Sequence, residues 1–370
     1  MTTTRFLPIL TVAALAACTD GSPIGPVSTD IVPAASMGSP ATEPVSVMTR
    51  NVYIGADVDV VIGAFITPDP TDDVPALLAG IAQLQATSFP HRADALVDEI
   101  ERFRPHVVGL QEIATIDIDL TGFGIPIDFD LDYLPILQAV LAGRGLNYVP
   151  VAAVVGITAT LPGVTVIDRD VILVDADRAT WDPASVVSQT FAANLGMVAP
   201  GIELLRGWVS VDVTVGSQTI RVASTHLESG NQPGFPALRA LQAAQLVASL
   251  GAASPAILMG DLNDPAGSPM YGVVTGAGFV DAWAAMRPGA QGLTCCHASD
   301  LSNRVAVHEL DQRIDFIMTR GFGHRNGMLS GQIRLLGITP GERVAGPQYD
   351  VWPSDHAGIV LGLISPPGGS

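Results

Sequence analysis

Polar side chains capable of chemistry lie where short apolar runs of this sequence end. Single residues of this kind are common, because polar side chains at strand ends often satisfy backbone groups. Together they are informative, since side chains that leave the strands of a layered sheet converge on one rim. A rim with carboxylates, amides and imidazoles has the composition of a divalent-metal hydrolytic site. The residues are Asn51, Glu112, His226, Asp261, Asn263, Asp315, Asp355 and His356.

The same residues belong to short sequence blocks with a fixed order. Along the chain these blocks read VMTRNV, VVGLQE, STHLE, MGDLND, RIDFI and WPSDHAGI. They resemble the signature blocks of the endonuclease/exonuclease/phosphatase superfamily over about residues 45–365. One block alone is a weak signal, whereas GDxN and SDH at this separation, with QE upstream, are jointly specific. The resemblance implies a deoxyribonuclease-I-like α/β fold, a four-layer αββα sandwich with two packed mixed β-sheets.

Hydrolysis of a phosphoester defines the roles that such residues would have. The reaction needs charge neutralisation on the non-bridging oxygens, a deprotonated water in line and stabilisation of the leaving oxygen. A hard cation such as Mg²⁺ prefers carboxylate and amide oxygens, so Glu112 suits its principal ligand with Asn51 beside it. Mn²⁺ or Ca²⁺ would suit the same ligands. The resemblance implies the same roles. It also implies that Asp355 either supports the metal ligands from behind or binds another metal ion.

The resemblance also implies which residues move protons and hold phosphate. His356 looks like the general base, because imidazole titrates near working pH, and Asp315 looks like the carboxylate that orients its other nitrogen. Asp261 and Asn263 would position the attacking water and the phosphoryl oxygens. His226 would donate a hydrogen bond to the phosphate.

Two further candidates have an equally plain structural interpretation. Asp170 in DRDVILV lies where family members often place another polar residue, and it would either support His226 or simply begin a strand. Arg206 precedes the strand GWVSVDV, and its planar guanidinium suits phosphate. The alternative for Arg206 is that it only covers a sheet edge.

Short apolar strands alternate with helical stretches from residue 45 onward and predict one mixed α/β domain. Several strands are apolar on both faces, as expected for sheets packed between layers. The predicted strands are Val45–Asn51, His106–Gln111, Asn147–Val155, Asp170–Val174, Trp208–Val215, Thr219–His226, Ala256–Asp261, Ile314–Thr319 and Ala357–Leu363, and the predicted helices are Ala93–Phe103, Leu134–Ala142, Ala237–Leu250 and Pro269–Val274.

The charge composition excludes several functions. The 370 residues include 36 Asp and Glu against 18 basic residues, all of them arginine. The absence of lysine excludes a P-loop lysine, a Schiff-base lysine and a lysine-based catalytic dyad. The net charge of −18 disfavours nucleic-acid binding through a general basic face, because phosphate neutralisation drives such binding. Only local arginines could bind a polyanion.

The N-terminal residues predict an exported, lipid-anchored protein. Residues 1–17 resemble a signal peptide, with one cation before an apolar run too short to span a bilayer. The motif Leu15–Cys18 resembles a bacterial lipobox, in which Cys18 would carry the lipid; an ordinary signal peptide with a chance cysteine is the alternative. Residues 18–44 indicate a flexible tether, and 45–365 the catalytic domain. The expected location is extracytoplasmic, anchored in a bacterial membrane.

An acidic segment directly after Glu112 bears on the substrate. Residues 116–132 alternate apolar and acidic positions, which predicts a hairpin beside the metal cleft. Its apolar positions would face lipid or pack on the sheet. Its aspartates would repel a polyanion; they are Asp117, Asp119, Asp128, Asp130 and Asp132.

Adjacent cysteines lie shortly before Asp315. In an oxidising compartment, Cys295 and Cys296 would close a vicinal disulfide, and the alternative is two buried thiols. Neither reading gives a convincing zinc site or a redox motif.

The sequence as a whole favours a metal-dependent phosphoesterase that cleaves a phosphodiester. A small-molecule or lipid-headgroup substrate, as in a sphingomyelinase, is slightly favoured over DNA or RNA. A noncatalytic surface-binding lipoprotein is the alternative of another class, and the intact catalytic blocks argue against it. The expected partners are the phosphoester substrate and, through the N-terminal lipid, a membrane. No protein partner is predicted.

Overall fold

Two mixed β-sheets packed face to face position the polar residues of the predicted site. The computed structural model describes residues 44–304, 309–325 and 328–363, without the side chains of residues 324, 325 and 328. The predicted signal peptide and nearly all of the predicted tether lie outside these ranges. None of the helices within them has the length and apolar character needed to cross a membrane.

The larger sheet has the strand order β17-β20-β1-β2-β6-β5-β9-β8, and β3 pairs with both β6 and β4. Its β1 and β2 are parallel, and the other pairs are antiparallel. Its strands are β1 (Val45–Asn51), β2 (Val107–Gln111), β3 (Thr115–Asp119), β4 (Asp128–Asp132), β5 (Tyr148–Leu161), β6 (Val164–Asp175), β8 (Gly196–Ala199), β9 (Ile202–Leu204), β17 (Gly331–Leu336) and β20 (Gly358–Leu363).

The smaller sheet has the order β13-β14-β12-β11-β10-β7, in which β11 and β12 are the parallel pair. Two separate two-stranded ladders, β15–β16 and β18–β19, complete the strands of the described residues. These strands are β7 (Thr180–Thr190), β10 (Gly207–Val215), β11 (Gln218–His226), β12 (Ala256–Asp261), β13 (Val280–Asp281), β14 (Asp315–Arg320), β15 (His324–Arg325), β16 (Met328–Leu329), β18 (Val344–Ala345) and β19 (Asp350–Val351).

Helices cover the outer face of each sheet. One apolar core lies between α2–α4 and the larger sheet, a second between the two sheets, and a third between α5, α6 and the smaller sheet. This is the predicted four-layer αββα sandwich. The helices are α1 (Val58–Ile66), α2 (Asp73–Thr87), α3 (Phe89–Phe103), α4 (Tyr133–Gly143), α5 (Phe235–Leu250), α6 (Pro269–Gly276) and α7 (Ala282–Met286), with 3₁₀ turns at Thr121–Phe123 and Pro340–Glu342.

Burial on both faces explains why the central strands read as continuous apolar runs. In β12, Ile257 and Met259 pack between the sheets, whereas Ala256 and Leu258 pack under α5 and α6. Successive side chains of a strand point to opposite faces. A strand that is covered on both sides therefore has apolar residues at consecutive positions and not in alternation. The sequence runs therefore end only where the strands leave the core, which is where the polar residues lie.

Candidate active site

The strand ends bring the predicted residues together at one edge of the sandwich. Asn51 ends β1 beside Gln111 at the end of the parallel strand β2, and Glu112 follows. In the other sheet, His226 and Asp261 end the parallel strands β11 and β12 in register. Because β14 runs antiparallel to β12, its first residue, Asp315, pairs with Asp261. His356 lies in the loop before β20.

Glu112 leaves its strand with an unusual backbone conformation. Its φ angle is 62°, in the left-handed region that non-glycine residues seldom adopt and that often marks functional positions. One carboxylate oxygen accepts a hydrogen bond from Asn51 Nδ2 at 2.8 Å, and the other accepts one from the backbone N–H of Ile54 at 2.7 Å. These donors fix the carboxylate at the edge where the two sheets meet.

The carboxylates around Glu112 fit a divalent cation. Desolvation and the negative charge of Asp355 raise the pKa of Glu112, and desolvation likewise raises the pKa of Asp355. Burial and the charge of Asp315 raise the pKa of Asp261 to about 7. A bound cation would offset this repulsion, and oxygen donors are what Mg²⁺ or Ca²⁺ prefers.

Asn51 occupies a linking position between two of these acids. Its Nδ2 donates to Glu112 and, at 3.2 Å, to Asp261, while its Oδ1 accepts from the backbone N–H of Tyr53 at 2.9 Å. In this orientation the amide nitrogen, not the oxygen, faces the carboxylates. Its role as a metal ligand stays a prediction, as do those of Glu112 and Asp355.

His356 and Asp315 form a buried hydrogen-bonded pair. His356 Nδ1 lies 2.8 Å from Asp315 Oδ2, and its Nε2 lies 3.8 Å from Asp261 Oδ2. These three side chains also present potential ligand atoms within 4.8 Å of one another. The bond to Asp315 assigns the proton to Nδ1 and leaves Nε2 to accept one, which is the arrangement of an oriented general base.

His226 and Asn263 lie on either side of Asp261. His226 Nε2 is 3.5 Å from Asp261 Oδ2, and burial with the charge of Arg206 lowers the pKa of His226 well below its usual range. The imidazole is therefore neutral at pH 7 and offers one N–H. Asn263, with a φ of 51°, donates its backbone N–H to Asp261 Oδ1 at 3.0 Å and its Nδ2 to Leu227 O.

Arg206 faces the site and does not cover a sheet edge. It is 4 % exposed and directly precedes β10, an interior strand of the smaller sheet. Its Nε lies 3.5 Å from Glu228 Oε1, and its guanidinium donates to Ser229 Oγ at 3.3 Å. Glu228 belongs to the block STHLE, where sequence reasoning assigned a role only to His226.

Asp170 lies in the interior of β6, so its interpretation as a strand-start residue is wrong. The strand begins six residues earlier, at Val164, because β6 continues past β2 to pair with β3 and the long β5. Asp168, two residues away on the same face, was not predicted as a site residue. Burial raises the pKa of Asp168 to about 7 and that of Asp170 well above its usual range, and one oxygen of each lacks a hydrogen-bond partner. The signal was the alternation Asp168-Arg169-Asp170, which places both acids on one face.

A cavity of about 450 Å³ joins these groups. Its polar end is lined by Glu112, Asp168, Arg206, His226, Asp261, Asn263, Asp355 and His356. Asp315 and Asp170 lie behind this surface. A concave site with convergent polar groups and perturbed pKa values is the usual form of an enzyme centre.

Comparison with known proteins identifies the family. The sequence model of the Endonuclease/Exonuclease/phosphatase family matches residues 77–356. The chain belongs to this family. It is accordingly a phosphoester hydrolase of a family that depends on divalent metals. A comparison with curated proteins found no match.

Solved structures of other family members share the fold. An endonuclease/exonuclease/phosphatase from Beutenbergia cavernae is 18% identical with a TM-score of 0.55, over 87% of this chain and 72% of that chain. A family protein from Leptotrichia buccalis is 15% identical with a TM-score of 0.51, over 86% of this chain and 99% of that chain. At this identity the likeness shows the architecture alone.

The predicted hairpin after Glu112 is present in this endonuclease/exonuclease/phosphatase chain as β3 and β4. The buried side chains of Ile116 and Ile118 point inward and line the cavity, so these apolar positions do not face a lipid surface. Asp117 and Asp119, on the opposite face of β3, are exposed, as are Asp128 and Asp130 of β4.

Cys295 and Cys296 are bridged as a vicinal disulfide. Both line the cavity, and Cys296 Sγ lies 4.0 Å from His356 Nε2. Thr294, just before the pair, accepts the backbone N–H of Asp315 at 3.1 Å through its hydroxyl. The loop therefore supports the start of β14 as well as covering one side of the catalytic pair.

The pH dependence of this family member should shift when Asp315 loses its charge. Burial lowers the pKa of His356, but the carboxylates of Asp315, Asp261 and Asp355 outweigh it and raise that pKa well above the usual value. A general base acts when deprotonated, so kcat/KM should rise with pH through the pKa of His356. Asp315→Asn removes one charge that favours the imidazolium. The ascending limb of kcat/KM should therefore move to lower pH, and a limb that stays or moves up would contradict the pairing.

Proposed function

We propose that this enzyme hydrolyses a phosphodiester of a small molecule or lipid headgroup, using Mg²⁺ or a similar divalent cation. The charge of the cavity supports this substrate class. Among the described residues that line it, Arg206 is the only arginine, against the acids Asp57, Asp59, Glu112, Asp168, Asp261 and Asp355. A long polyanion would need several cations along its path, whereas one diester group with a bound metal would not.

The residues of the site divide the reaction between them. Asp315 holds the Nδ1–H of His356, so that Nε2 faces the cavity and takes a proton from the attacking water. Arg206 and the N–H of neutral His226 donate hydrogen bonds to the phosphoryl oxygens. Asn263 is held in position by the hydrogen bond from its backbone N–H to Asp261. Glu112, with Asp355 beside it, would hold a divalent cation, which when bound would neutralise the phosphoryl charge and stabilise the leaving oxygen.

A comparison of a diester with a monoester tests the proposed reaction. Purified protein would be assayed on bis-p-nitrophenyl phosphate and p-nitrophenyl phosphate with Mg²⁺, Mn²⁺ or Ca²⁺. The proposal predicts a clear preference for the diester in at least one of these metals. Preference for the monoester would point to a phosphatase, and no turnover of either, with binding retained, would support a noncatalytic binding protein.

The exposed hairpin acids should reduce the cleavage of DNA specifically. Asp128→Asn with Asp130→Asn removes two exposed charges from the outer face of the hairpin, whose inner face lines the cavity, so cleavage of plasmid DNA should increase more than cleavage of bis-p-nitrophenyl phosphate. Added salt should shrink the difference, because it screens exposed charges beyond about 10 Å at 0.1 M. Asp94→Asn with Asp98→Asn on α3 is the matched control. Equal gains on both substrates would show that the hairpin does not select substrates by charge. A nuclease function would then be as well supported as the proposed phosphodiesterase function.

We extend the proposal to the location of the enzyme, a lipid-anchored protein on the extracytoplasmic side of a bacterial membrane. It rests on the sequence motif Leu15–Cys18, which lies outside the described residues. Cys18→Ser should move the protein from the membrane fraction to the soluble fraction, with its kcat on a soluble diester unchanged. Membrane fractionation that does not change would refute the anchor.

A further inference from the structure

The cavity does not end at the catalytic residues. It continues into a second part, here called the aliphatic chamber, which is enclosed by α1 and α2 on one side and by β3, β5, β6 and β9 on the other. Each of these elements contributes apolar side chains to its wall. Representative residues are Ile62, Leu77, Ile118, Ala159, Leu161 and Val166.

The chamber and the catalytic end have opposite chemical characters. Among the described residues, the side chains that these helices and strands contribute to the cavity lining are apolar, apart from Asp59 on α1 and Asp168 on β6. The charged and hydrogen-bonding groups are gathered at the other end, around Glu112, Arg206 and His356. One continuous space therefore offers phosphoester chemistry at one end and an apolar environment at the other, which is the pattern of an amphipathic ligand.

The side-chain composition of the wall favours a hydrocarbon chain over a nucleobase. Bases are held by stacking on aromatic rings and by polar groups on their edges. Phe65 is the one aromatic residue among the described side chains of the chamber wall. Branched aliphatic side chains instead provide non-directional contacts, which suit a flexible chain of methylenes.

We propose that the aliphatic chamber binds a hydrocarbon chain carried by the substrate, so that the phosphodiester cleaved at the catalytic end is alkylated or acylated. This inference rests on the proposed function and deepens it. A chain in the chamber would place the attached phosphorus beside Arg206 and His356, and the other ester group of the diester would be the leaving group.

A series of n-alkyl p-nitrophenyl phosphodiesters tests the inference with one constant leaving group. Water attacks phosphorus and the bond to p-nitrophenolate breaks, giving the alkyl phosphate and a coloured product at every chain length. Assayed below their micelle concentrations, the methyl to dodecyl esters should show a kcat/KM that rises with each methylene and then levels off. Full burial of a methylene corresponds to at most about fourfold.

Filling the chamber should remove the dependence on chain length. Ala159→Trp introduces a large side chain into the wall from β5, and it should flatten the series. Ala153 lies on the same strand but is exposed and outside the cavity lining. Ala153→Trp should therefore retain the wild-type dependence on chain length. If Ala159→Trp does not fold, Ile62→Asn on α1 should reduce the same slope by making the wall polar.

Three outcomes separate this inference from the proposed function. Diester hydrolysis with no dependence on chain length overturns the chamber as a substrate site and leaves the proposed function intact. A slope in Ala159→Trp equal to that of Ala153→Trp shows that the chain binds elsewhere. If no diester is hydrolysed, calorimetric binding decides: n-decyl phosphate should bind wild type more tightly than methyl phosphate, and equal affinities would overturn the chamber as well.

Discussion

His356→Ala and Asp315→Ala should each lower kcat for a phosphodiester by at least about a hundredfold. Proton transfer by a positioned side chain contributes on the order of a hundredfold to ten-thousandfold, and His356 Nε2 faces the cavity for that purpose. Asp315 acts through the 2.8 Å hydrogen bond that fixes the ring and its tautomer. Steady-state kinetics with saturating metal would measure both losses. His91→Ala, an exposed histidine on α3, is the control and should leave kcat unchanged.

Combining the two substitutions should cost little beyond either one. Residues that act as one unit are strongly non-additive, because removal of one disables the other. The kcat of the double variant should therefore be within a few-fold of the kcat of the less active single variant. Losses that multiply would show two independent roles and would contradict an Asp315–His356 pair.

Glu112→Gln should lower activity by on the order of a hundredfold or more, the size expected for losing a principal electrostatic element. The substitution keeps the shape and the hydrogen-bonding reach of the side chain but removes the charge that would hold a cation. Thermal unfolding should change little, and the metal concentration for half-maximal activity should rise. Glu203→Gln on β9 lies outside the cavity lining and is the matched control. Full activity of Glu112→Gln, or of wild type in EDTA, would refute metal-assisted hydrolysis at this position.

Most of the central strands were predictable because both of their faces are buried. β1 and β12 have the predicted bounds, and the predicted sheet layers are confirmed. Their apolar runs end where the core ends, so the polar residues that follow were recognisable without a structure. Convergence of these ends at one edge follows from strand direction, as the pairs Asn51–Gln111 and His226–Asp261 show.

α1 was missed because its local composition favours a strand. The segment VDVVIGAFI is rich in β-branched residues, which lose rotamer freedom in a helix. Asp57 caps it by accepting the N–H of Val60 at 3.1 Å, and Ile62 and Phe65 pack against the β8–β9 pair. Tertiary packing therefore decides the conformation, and this contact lies more than a hundred residues away in the sequence.

The buried acids and the aliphatic chamber depend on the same long-range packing. Asp168 shares a buried face with Asp170 because β6 extends back to Val164. The chamber is formed by α1 and α2 against strands from distant parts of the chain, so no single segment carries a pattern for it. By contrast, the alternation of apolar and acidic residues predicted the hairpin and its two faces. The structure was needed only to show that Ile116 and Ile118 face the interior and not a lipid surface.

Hydrolysis of sphingomyelin and of plasmid DNA, measured side by side with the same purified protein and metal, tests the central claim most directly. The proposed function predicts a larger kcat/KM for the lipid phosphodiester, because one arginine, the proposed metal ligands and an adjoining apolar chamber would suit a single diester group on a hydrocarbon chain. The preference should disappear with Ala159→Trp and all activity with EDTA. Efficient DNA cleavage with no turnover of sphingomyelin or of any small diester would contradict the account.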